Sequence, residues 1–488
     1  MFGFKRRKVQ RERVEPTVGI EMRDFYSTDV DRLLTGWTTG TASIDQYLSR
    51  DLKSLRARSR ELSRKNPYGK HYTRTMRKNI LGNAGVQVQC HSKFSDGRLD
   101  ERANAAIEAA WKDWSKHHAD WSEMHTFLSL KRQSINTVTQ DGEFIFRKHY
   151  GKSAGKYGFQ IEVIDPELLD TEKNEKTRNG EIRLGVEYNS KKKVVRYWFR
   201  EKDENGNYYM GRSYSIEAKY IIHGFLPEYP DQSRGIPWLH SALESAKHLE
   251  KYEESAMVAA RKGAALAGFV KSNDPNDAYA GEEEGTGAYE GATIASLENG
   301  QYINIGNNDV IQVDPAYPHQ MYSQFTNQRL SRIAAGGGVS YESLSGDLKG
   351  ATYSSMRMGA LDEREHYKEL QDWLIQCFVE PVFMEWLSMA YLMGAITIGN
   401  RPLSKPLSSY QDVHFQPRRW DWVDPVKEGN ANTAAIKDNL KSRSQIIRES
   451  GNDPDTVWRE IQREKELFAE MGIQVVDDLM VTAEADED

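Results

Sequence analysis

The chain has 488 residues and a mass of 55.9 kDa, and one hydrophobic core rarely grows beyond about 300 residues, so we expect two to four domains. Its 66 Lys and Arg against 72 Asp and Glu exclude a histone-like basic protein, while two cysteines, Cys90 and Cys377, exclude a disulfide scaffold and a four-cysteine zinc site. The longest apolar stretch, 382–398, is interrupted by Glu385 and is too short for a membrane span, so we expect a soluble protein without a membrane partner.

The first 80 residues are predicted to be a flexible arm, over 1–39, followed by helices. Residues 1–13 already carry six basic side chains and one acidic side chain. Residues 44–80 have helical spacing with a break at Asn66-Pro67, because the residue before a proline disfavours helical backbone. Within this region, 50–78 holds eleven Lys or Arg and two acidic residues, so one stripe of the helix is apolar and the rest is basic.

The next segment changes from helical to strand periodicity. A helix is predicted over 100–118, with Asp100 as its N-cap, and another over 124–138. From 143 to 223, short β-branched and aromatic runs alternate with Asn-Gly and Asn-Ser turns. This pattern predicts an antiparallel β region.

A long helix is predicted to open at Gly235-Ile236-Pro237, since proline is tolerated in the first helical turn. The segment that follows this helix, 264–315, is irregular and rich in glycine. Seven acidic residues and one Lys lie in 271–300. We therefore expect a short α/β insert with an acidic loop.

The last third of the chain is predicted to be helical with breaks. A helix over 318–335 is followed by a glycine-rich hinge and then by a helical run over 353–393, kinked at Pro381. Asp-Pro pairs at 424–425 and 453–454 predict helix starts, with Asp as N-cap and Pro as the first helical residue. The final twelve residues carry six acidic side chains and no basic one.

Motifs for catalysis are missing from the sequence. The one Gly-Lys-Ser, at Gly151-Lys152-Ser153, has Phe146 where a phosphate-binding loop needs glycine. There is no His-Glu-x-x-His motif for zinc and no Gly-x-Ser-x-Gly motif for a serine hydrolase. We therefore predict no catalytic residue, no metal site, no cofactor and no enzymatic activity.

Two features remain, and each has two interpretations. The basic segment 50–78 is either a phosphate-facing or subunit-contacting helix, or an ordinary solvated face. The run over 353–393 is either one overlong helix that packs between subunits, or two ordinary helices that meet at Pro381.

Five segments, in order, resemble the lambda-type family of tailed-bacteriophage portal proteins. They are LRARSRELSRKNPYGKHYTRTMRKNILGNAGVQVQ (55–89), the strand end with ELLD (163–170), the segment from HGFLPEYPDQSRGIPW to AALAGFV (223–270), GVSYESLSGDLKGATYSSMRMGALDEREHY (338–367) and WVDPVKEGNANTAAIKDNLKSRSQIIRESGNDPDTV (422–457). The resemblance covers 55 to 457 and carries structural motifs.

The resemblance implies an α+β portal fold, mostly helical, with an antiparallel β region in its wing. It maps onto the chain as a flexible arm, a wing, a first stem helix, a clip, a second stem helix, a tunnel loop, a long kinked helix and a crown with an acidic tail. The corresponding ranges are 1–39, 40–235, 236–263, 264–315, 316–337, 338–352, 353–402 and 403–488.

The function that the resemblance implies is a ring, typically of twelve identical subunits, at one capsid vertex. Double-stranded DNA is packaged and ejected through its channel. The implied partners are the terminase large subunit, the head-tail adaptor, and the major capsid and scaffolding proteins. The implied location is the portal vertex of the virion, with assembly in the host cytoplasm. The alternatives are a head-completion or adaptor protein without a channel and, with less support, a packaging ATPase or nuclease.

Four groups of residues are predicted to act in these roles. The tunnel loop is expected to present Tyr341, Ser345 and Lys349 to DNA, although an ordinary surface turn fits the same residues. Glycines on both sides are expected to give it freedom as a hinge: Gly336, Gly337, Gly338, Gly346 and Gly350. The clip is expected to meet basic partners through Glu282, Glu283 and Glu284. Neighbouring subunits are expected to contact Arg56, Arg58 and Arg60.

Overall fold

Helices dominate the residues that a computed structural model describes. These residues are 41–94, 96–202, 208–270, 301–304, 310–311, 321–349, 352–420, 425–450 and 454–471. The helices are α1 (Ile44–Lys65), α2 (Pro67–Leu81), α3 (Glu101–His117), α4 (Phe127–Asp141), α5 (Leu243–Ala265), α6 (Tyr322–Gly336), α7 (Tyr341–Ser345), α8 (Tyr353–Leu374), α9 (Glu380–Leu392), α10 (Pro425–Lys437), α11 (Arg443–Glu449) and α12 (Pro454–Met471).

The strands form small sheets between these helices. They are β1 (Gln87–Cys90), β2 (Glu143–Tyr150), β3 (Phe159–Ile164), β4 (Glu175–Thr177), β5 (Gly180–Arg183), β6 (Val186–Asn189), β7 (Val194–Lys202), β8 (Tyr208–Glu217), β9 (Ile221–Phe225), β10 (Leu266–Val270), β11 (Gln301–Asn304), β12 (Val310–Ile311), β13 (Thr397–Ile398), β14 (Arg401–Pro402) and β15 (Val413–Gln416). The described chain is therefore α+β, as predicted.

The antiparallel β region is confirmed. One sheet has the order β3-β2-β9, and a second sheet has the order β4-β5-β6-β7-β8. All neighbours in both sheets are antiparallel. In the insert, β10 lies between β11, to which it is parallel, and β12, to which it is antiparallel.

The predicted break between the first two helices lies at Asn66, and its side chain caps α2. Asn66 Oδ1 accepts hydrogen bonds from the backbone N–H of Tyr68 at 3.0 Å and of Gly69 at 3.3 Å. Pro67 is the first helical residue, where its missing N–H costs nothing. Asp100 caps α3 in the same way, by accepting a hydrogen bond from Ala103 N at 3.2 Å. The predicted break at Asn66-Pro67 and the predicted Asp100 cap are therefore confirmed.

The main core joins the N-terminal helices to the long C-terminal ones. The rings of Trp111 and Trp114 on α3 stack at 4.8 Å, and Trp386 on α9 meets Trp111 at 5.0 Å. Phe146 on β2 stacks on Phe378 at 4.6 Å. Burying an aromatic side chain of this size is worth about 3–5 kcal/mol against alanine, so these contacts hold α9 against α3 and β2.

The helical run over 353–393 changes pitch before its proline. α8 ends at Leu374, a π-helical turn covers Ile375–Val379, and α9 begins at Glu380. Pro381 has no N–H to donate to Cys377 O, and its ring crowds that carbonyl, so the wider turn relieves the clash. The break predicted at Pro381 therefore takes the form of a π-helical turn that directly precedes α9.

The long helix after 235 begins later than predicted. A 3₁₀ turn at His240–Ala242 precedes α5, which starts at Leu243. The backbone at Gly235 packs so closely on Gly142 that a Cβ on Gly235 would lie 2.0 Å from Gly142 O. This contact leaves no room for a side chain at position 235.

The segment 403–420, which lies within the range predicted as the crown, packs in the main core. β15 pairs with β1 in an antiparallel ladder, from Gln87–Gln416 to Cys90–Val413. Leu403 and Tyr410 are buried in the same cluster as the tryptophans of α3. The apolar side chains of this segment are therefore covered by the same core as the N-terminal helices.

Candidate functional site

The segment after α6, predicted as a mobile loop over 338–352, contains the short helix α7. Ser340 caps this helix by accepting a hydrogen bond from Ser343 N at 3.1 Å. Leu344 is buried, and Gly346 ends the helix in the left-handed conformation, at φ 70°. A cap, an apolar anchor and a C-terminal glycine together define one complete turn, so most of the described part of this segment is ordered against its neighbours.

Glu363 on α8 connects α7 to the long helix. Its carboxylate accepts hydrogen bonds from Ser340 Oγ at 3.2 Å, from Ser343 Oγ at 2.7 Å and from the hydroxyl of Tyr367 at 2.6 Å. Burial and the adjacent Glu363 raise the pKa of Tyr367, so this hydroxyl stays a donor. We call this arrangement the Glu363 clamp, and it joins the capping residue of α7 to α8.

Helix α2 holds the other side of the same segment. His71 Nε2 lies 2.9 Å from Ser343 O, and the Tyr72 hydroxyl donates to Gly337 O at 2.9 Å. Burial raises the pKa of Tyr72, which keeps that hydroxyl protonated. Residues 337–343 are therefore attached to both α2 and α8.

The predicted hinge glycines have different structural roles. Gly336 and Gly337 are close-packing positions: a Cβ on Gly336 would lie 2.9 Å from Ser241 Oγ, and one on Gly337 would lie 2.9 Å from the ring of Tyr72. Freedom as a hinge is therefore the wrong explanation for these two. Gly338, at φ 67°, and Gly346 adopt left-handed backbone that favours glycine. Gly350 lies outside the described residues.

Tyr341, Ser345 and Lys349, the predicted DNA contacts, lie around Asp347. The Tyr341 hydroxyl is 3.5 Å from Asp347 Oδ2, Ser345 Oγ accepts a hydrogen bond from Asp347 N at 3.1 Å, and Lys349 N donates to Asp347 Oδ1 at 3.0 Å. Tyr341 and Ser345 are half-buried, whereas Lys349 is exposed beside Leu348. In the described part of 338–352, the positive charge that a ligand can reach is therefore that of Lys349.

Helices α5 and α6, on either side of the insert, pack against each other through aromatic rings. Tyr252 lies 5.8 Å from the ring of Tyr322 and 4.7 Å from that of Phe325. Glu253, the next residue on α5, accepts a hydrogen bond from the Tyr68 hydroxyl at 3.3 Å. Burial, with a smaller effect of Glu253, raises the pKa of Tyr68 to about 12. The insert therefore leaves and rejoins one helix pair, and α2 supports that pair.

The predicted clip contacts Glu282, Glu283 and Glu284 lie outside the described residues. The described backbone of the insert is limited to β10, β11 and β12. The role of these three glutamates stays a prediction.

The three arginines predicted as subunit contacts differ sharply in their surroundings. Arg56 is 1% exposed and donates to Asp141 O, Pro166 O and the carboxylate of Glu143, so it faces the interior of its own subunit. The predicted subunit contact of Arg56 is therefore wrong. Arg60 is half-buried and pairs with Asp141 and Asp165. Arg58 is exposed, and its predicted contact stays open.

Glu143 is the centre of a buried charge network that sequence reasoning missed. Its carboxylate lies 2.6 Å from Arg56, 2.7 Å from Arg234 and 3.1 Å from His223 Nε2, and it accepts a hydrogen bond from Gly235 N at 2.9 Å. Burial alone would raise the pKa of Glu143, but the neighbouring cations outweigh it and hold the pKa well below its usual range. The network fixes α1 and the chain before α5 to β2.

The described residues were predicted to contain neither a metal site nor a membrane span. Within them, no group of three or more His, Cys, Asp or Glu side chains is placed to hold a metal ion. No helix among the described ranges combines the length and the apolar character needed to cross a membrane. What the described site does offer is an anchored segment with an exposed lysine, next to a helix pair with an insert.

Comparisons with known proteins cover most of the chain. The family model described as phage portal protein, lambda family, matches residues 30–371. The chain is 31% identical over 472 residues to the probable portal protein of Halomonas phage phiHAP-1, which covers 95% of this chain and 90% of that relative. It is 23% identical over 470 residues to Portal protein B of Escherichia phage lambda, covering 88% and 87%.

Solved structures are less similar to this chain. A chain from the virion of a native gene transfer agent particle is 13% identical, with a TM-score of 0.44, and the match covers 83% of this chain and 94% of that one. A chain from the neck of a native gene transfer agent particle, computed with C12 symmetry, has a TM-score of 0.43. The sequence comparisons therefore carry the classification.

Proposed function

This chain belongs to the lambda family of phage portal proteins, and from this membership we propose that copies of it form a ring-shaped channel at one capsid vertex. Double-stranded DNA passes through that channel when it is packaged and when it is ejected. The ring is a homo-oligomer, typically of twelve subunits, located in the virion after assembly in the host cytoplasm.

The observation that carries this proposal is the helix pair with its insert and its anchored segment. α5 and α6 pack through Tyr252, the insert 264–315 leaves and rejoins them, and α7 follows directly after α6. In this assignment α5 and α6 are the stem, the insert is the clip, and 338–352 is the tunnel segment. The sheets and the N-terminal helices form the wing, and α10–α12 form the crown.

The charge of the chain suits a channel from which DNA must not be trapped. A lumen that neutralised many phosphates would hold the duplex tightly, because each neutralised phosphate adds to the affinity. The formal net charge is −6 per chain, which is multiplied around a ring. At the described tip of the tunnel segment, Lys349 adds one exposed cation per subunit, enough for weak and reversible contact.

The clip is the docking surface for other packaging components. Its 271–300 segment has a net charge of −6, which attracts basic surfaces of the terminase large subunit during packaging and of the head-tail adaptor afterwards. The wing meets the major capsid and scaffolding proteins. In these contacts the protein has a structural role and turns over no substrate.

The proposal is tested by imaging purified protein with electron microscopy and by measuring its mass with light scattering. We expect closed rings with an axial hole. Monomer alone at micromolar concentration, across several salt conditions, would contradict the channel and favour a head-completion protein. ATP turnover by the purified chain would instead revive the packaging-enzyme alternative.

The clip assignment has its own test. Changing Glu282, Glu283 and Glu284 to Gln removes three negative charges from the acidic segment. We expect intact rings with slower docking of terminase or adaptor, most clearly at low salt. Unchanged docking rates at low salt would mean that these glutamates are a solvated tip.

A further inference from the structure

Six basic side chains, four exposed and two half-buried, line two clefts on α1, α2 and α4, separate from the tunnel segment. Four of them line a cleft of about 340 Å³ together with Gly82 and Asn83. The other two line an adjacent cleft of about 710 Å³. We call this face the α2–α4 basic surface, and its cations are Arg64, Lys70, Arg74, Arg77, Lys78 and Arg132.

The spacing on α2 explains why these side chains share one face. Residues three, four and seven apart on a helix lie on the same side, so Lys70, Arg74, Arg77 and Lys78 form one stripe. The opposite side of α2 is buried. That opposite side also carries Tyr72, which holds Gly337, so α2 anchors the tunnel segment with one face and presents cations with the other.

Within the described part of the chain, the cations of this surface have no carboxylate partner. Across the ranges that the structure describes, none of the six forms an ion pair, although other arginines nearby do. The carboxylates in the larger cleft, Asp141 and Asp165, are already bonded to Arg60 at 2.5 and 2.6 Å. Positive charge on the α2–α4 basic surface therefore remains available to a ligand.

The remaining lining fits phosphate better than it fits another protein. Neutral side chains that can donate hydrogen bonds also line the clefts, namely those of Asn83, Gln133, Thr137 and Gln140, and the larger cleft has a small apolar part at Val163, Ile164 and Pro166. None of the exposed large apolar side chains of the described chain lies between residues 60 and 83 or between 128 and 140. Protein interfaces have an apolar core, whereas nucleic-acid backbones are held by Arg, Lys and neutral donors.

We propose that the α2–α4 basic surface binds the phosphate backbone of duplex DNA outside the channel, without sequence preference. It is a second DNA contact, distinct from Lys349 on the tunnel segment. The surface has the charge and hydrogen-bond donors for backbone contacts. We expect no base readout, because long flexible cations and neutral donors suit contacts to phosphate.

Salt dependence gives this proposal a magnitude. Each neutralised phosphate of B-DNA contributes a slope of about −0.9 to log K against log salt, so six contacts give about −5.4. A fourfold rise, from 50 to 200 mM, then weakens binding about 2,000-fold. A variant that keeps three contacts has a slope of about −2.7 and loses only about 40-fold over the same range.

The experiment uses preassembled protein and covalently closed circular duplex DNA, because a closed circle cannot thread through a closed ring. Binding is measured between 50 and 200 mM salt for the wild type and for the triple variant Arg74→Gln, Arg77→Gln and Arg132→Gln. The matched control, Lys191→Gln, Lys192→Gln and Lys193→Gln, removes the same charge from an exposed turn elsewhere. Light scattering checks that assembly is unchanged.

We expect circles to bind the wild type with the steep slope and the arginine variant with about half of it. The lysine control should retain the wild-type slope, and Arg→Lys changes at the same three positions should retain most of it. Binding of linear duplex but not of circles, or equal slopes for all variants, would overturn the proposal. If the arginine variant loses assembly while circles do not bind the wild type, the surface is a contact between copies instead.

This result is separable from the channel proposal. Circular DNA binding by a chain that forms no ring would leave the α2–α4 basic surface supported and the channel rejected. Rings that bind no circular DNA would support the channel and reject DNA binding by the α2–α4 basic surface.

Discussion

The Glu363 clamp makes a sharp prediction about the mobility of the tunnel segment. Its carboxylate accepts three hydroxyl hydrogen bonds, at 2.6, 2.7 and 3.2 Å, from Tyr367, Ser343 and Ser340. Glu363→Gln keeps the shape of the side chain but replaces one acceptor oxygen by an NH₂ group, which cannot accept. We therefore expect α7 to detach from α8 more often.

The magnitude follows from the hydrogen bonds that are lost. A hydrogen bond to a charged group contributes about 1.5–3 kcal/mol, and glutamine retains an oxygen for one of the donors. Weakening the attachment by about 2 kcal/mol raises the open population of the segment about 30-fold. The same contacts belong to the folded state, so the free energy of global unfolding should fall by at most about 2 kcal/mol.

Hydrogen exchange of the amides in 340–346 measures this opening directly. Exchange should accelerate about 30-fold in Glu363→Gln at constant pH, while amides of α3 and β2 that exchange by local fluctuations of their own keep their wild-type rates. The matched control is Glu369→Gln on the same helix, where the side chain is exposed and only 4.0 Å from His366. Equal exchange rates in 340–346 for the wild type and both variants would refute the clamp.

Three further predictions concern the buried network, the arginines of α1 and the tip of the tunnel segment. Glu143→Gln should lower the free energy of unfolding by about 3–5 kcal/mol at neutral pH, because buried arginines lose their partner. Since the folded-state pKa of Glu143 is depressed, this difference from wild type should be full above about pH 5 and should shrink as the pH falls. Denaturant titrations that give a pH-independent difference would contradict this. Arg56→Glu should prevent folding, as circular dichroism would show, whereas Arg58→Glu should leave the fold intact and damage ring assembly; normal rings of the Arg58 variant would remove it from the subunit interface. Lys349→Ala should leave rings intact and change the amount of packaged DNA. The variant Ser345→Cys should crosslink to a neighbouring segment or to DNA in filled particles. If its thiol instead reacts freely with a bulky reagent from outside the capsid, the segment lies on the outer surface.

Local signals in the sequence were sufficient for the elements that they define. The Asn66-Pro67 break, the Asp100 cap and the Pro425 and Pro454 helix starts are all confirmed, because capping and proline geometry act within one turn. The alternation over 143–223 was equally sufficient for antiparallel strands. Five ordered motifs also led to the portal family, which the comparisons confirm.

What the sequence could not decide is which distant groups meet. Arg56 and Arg58 are two residues apart in one basic helix, yet Arg56 is buried against Glu143 and Arg58 is exposed. The partners of Arg56 and Arg234 lie 87 and 91 residues away, and no local pattern marks them. Helix periodicity sets the face of a residue, but which neighbour covers that face depends on tertiary packing.

Tertiary packing also decided the surroundings of the glycines at 336 and 337 and the position of β15. The glycines at 336 and 337 predict backbone flexibility from the sequence, but the ring of Tyr72 and the hydroxyl of Ser241 occupy the space that a Cβ would need. β15 pairs with β1 across more than 300 residues, and the composition around 403 does not reveal this pairing. The sequence by itself determined the elements and the family, and only the tertiary structure decided their contacts, because burial and ion pairing depend on groups brought together from distant parts of the chain.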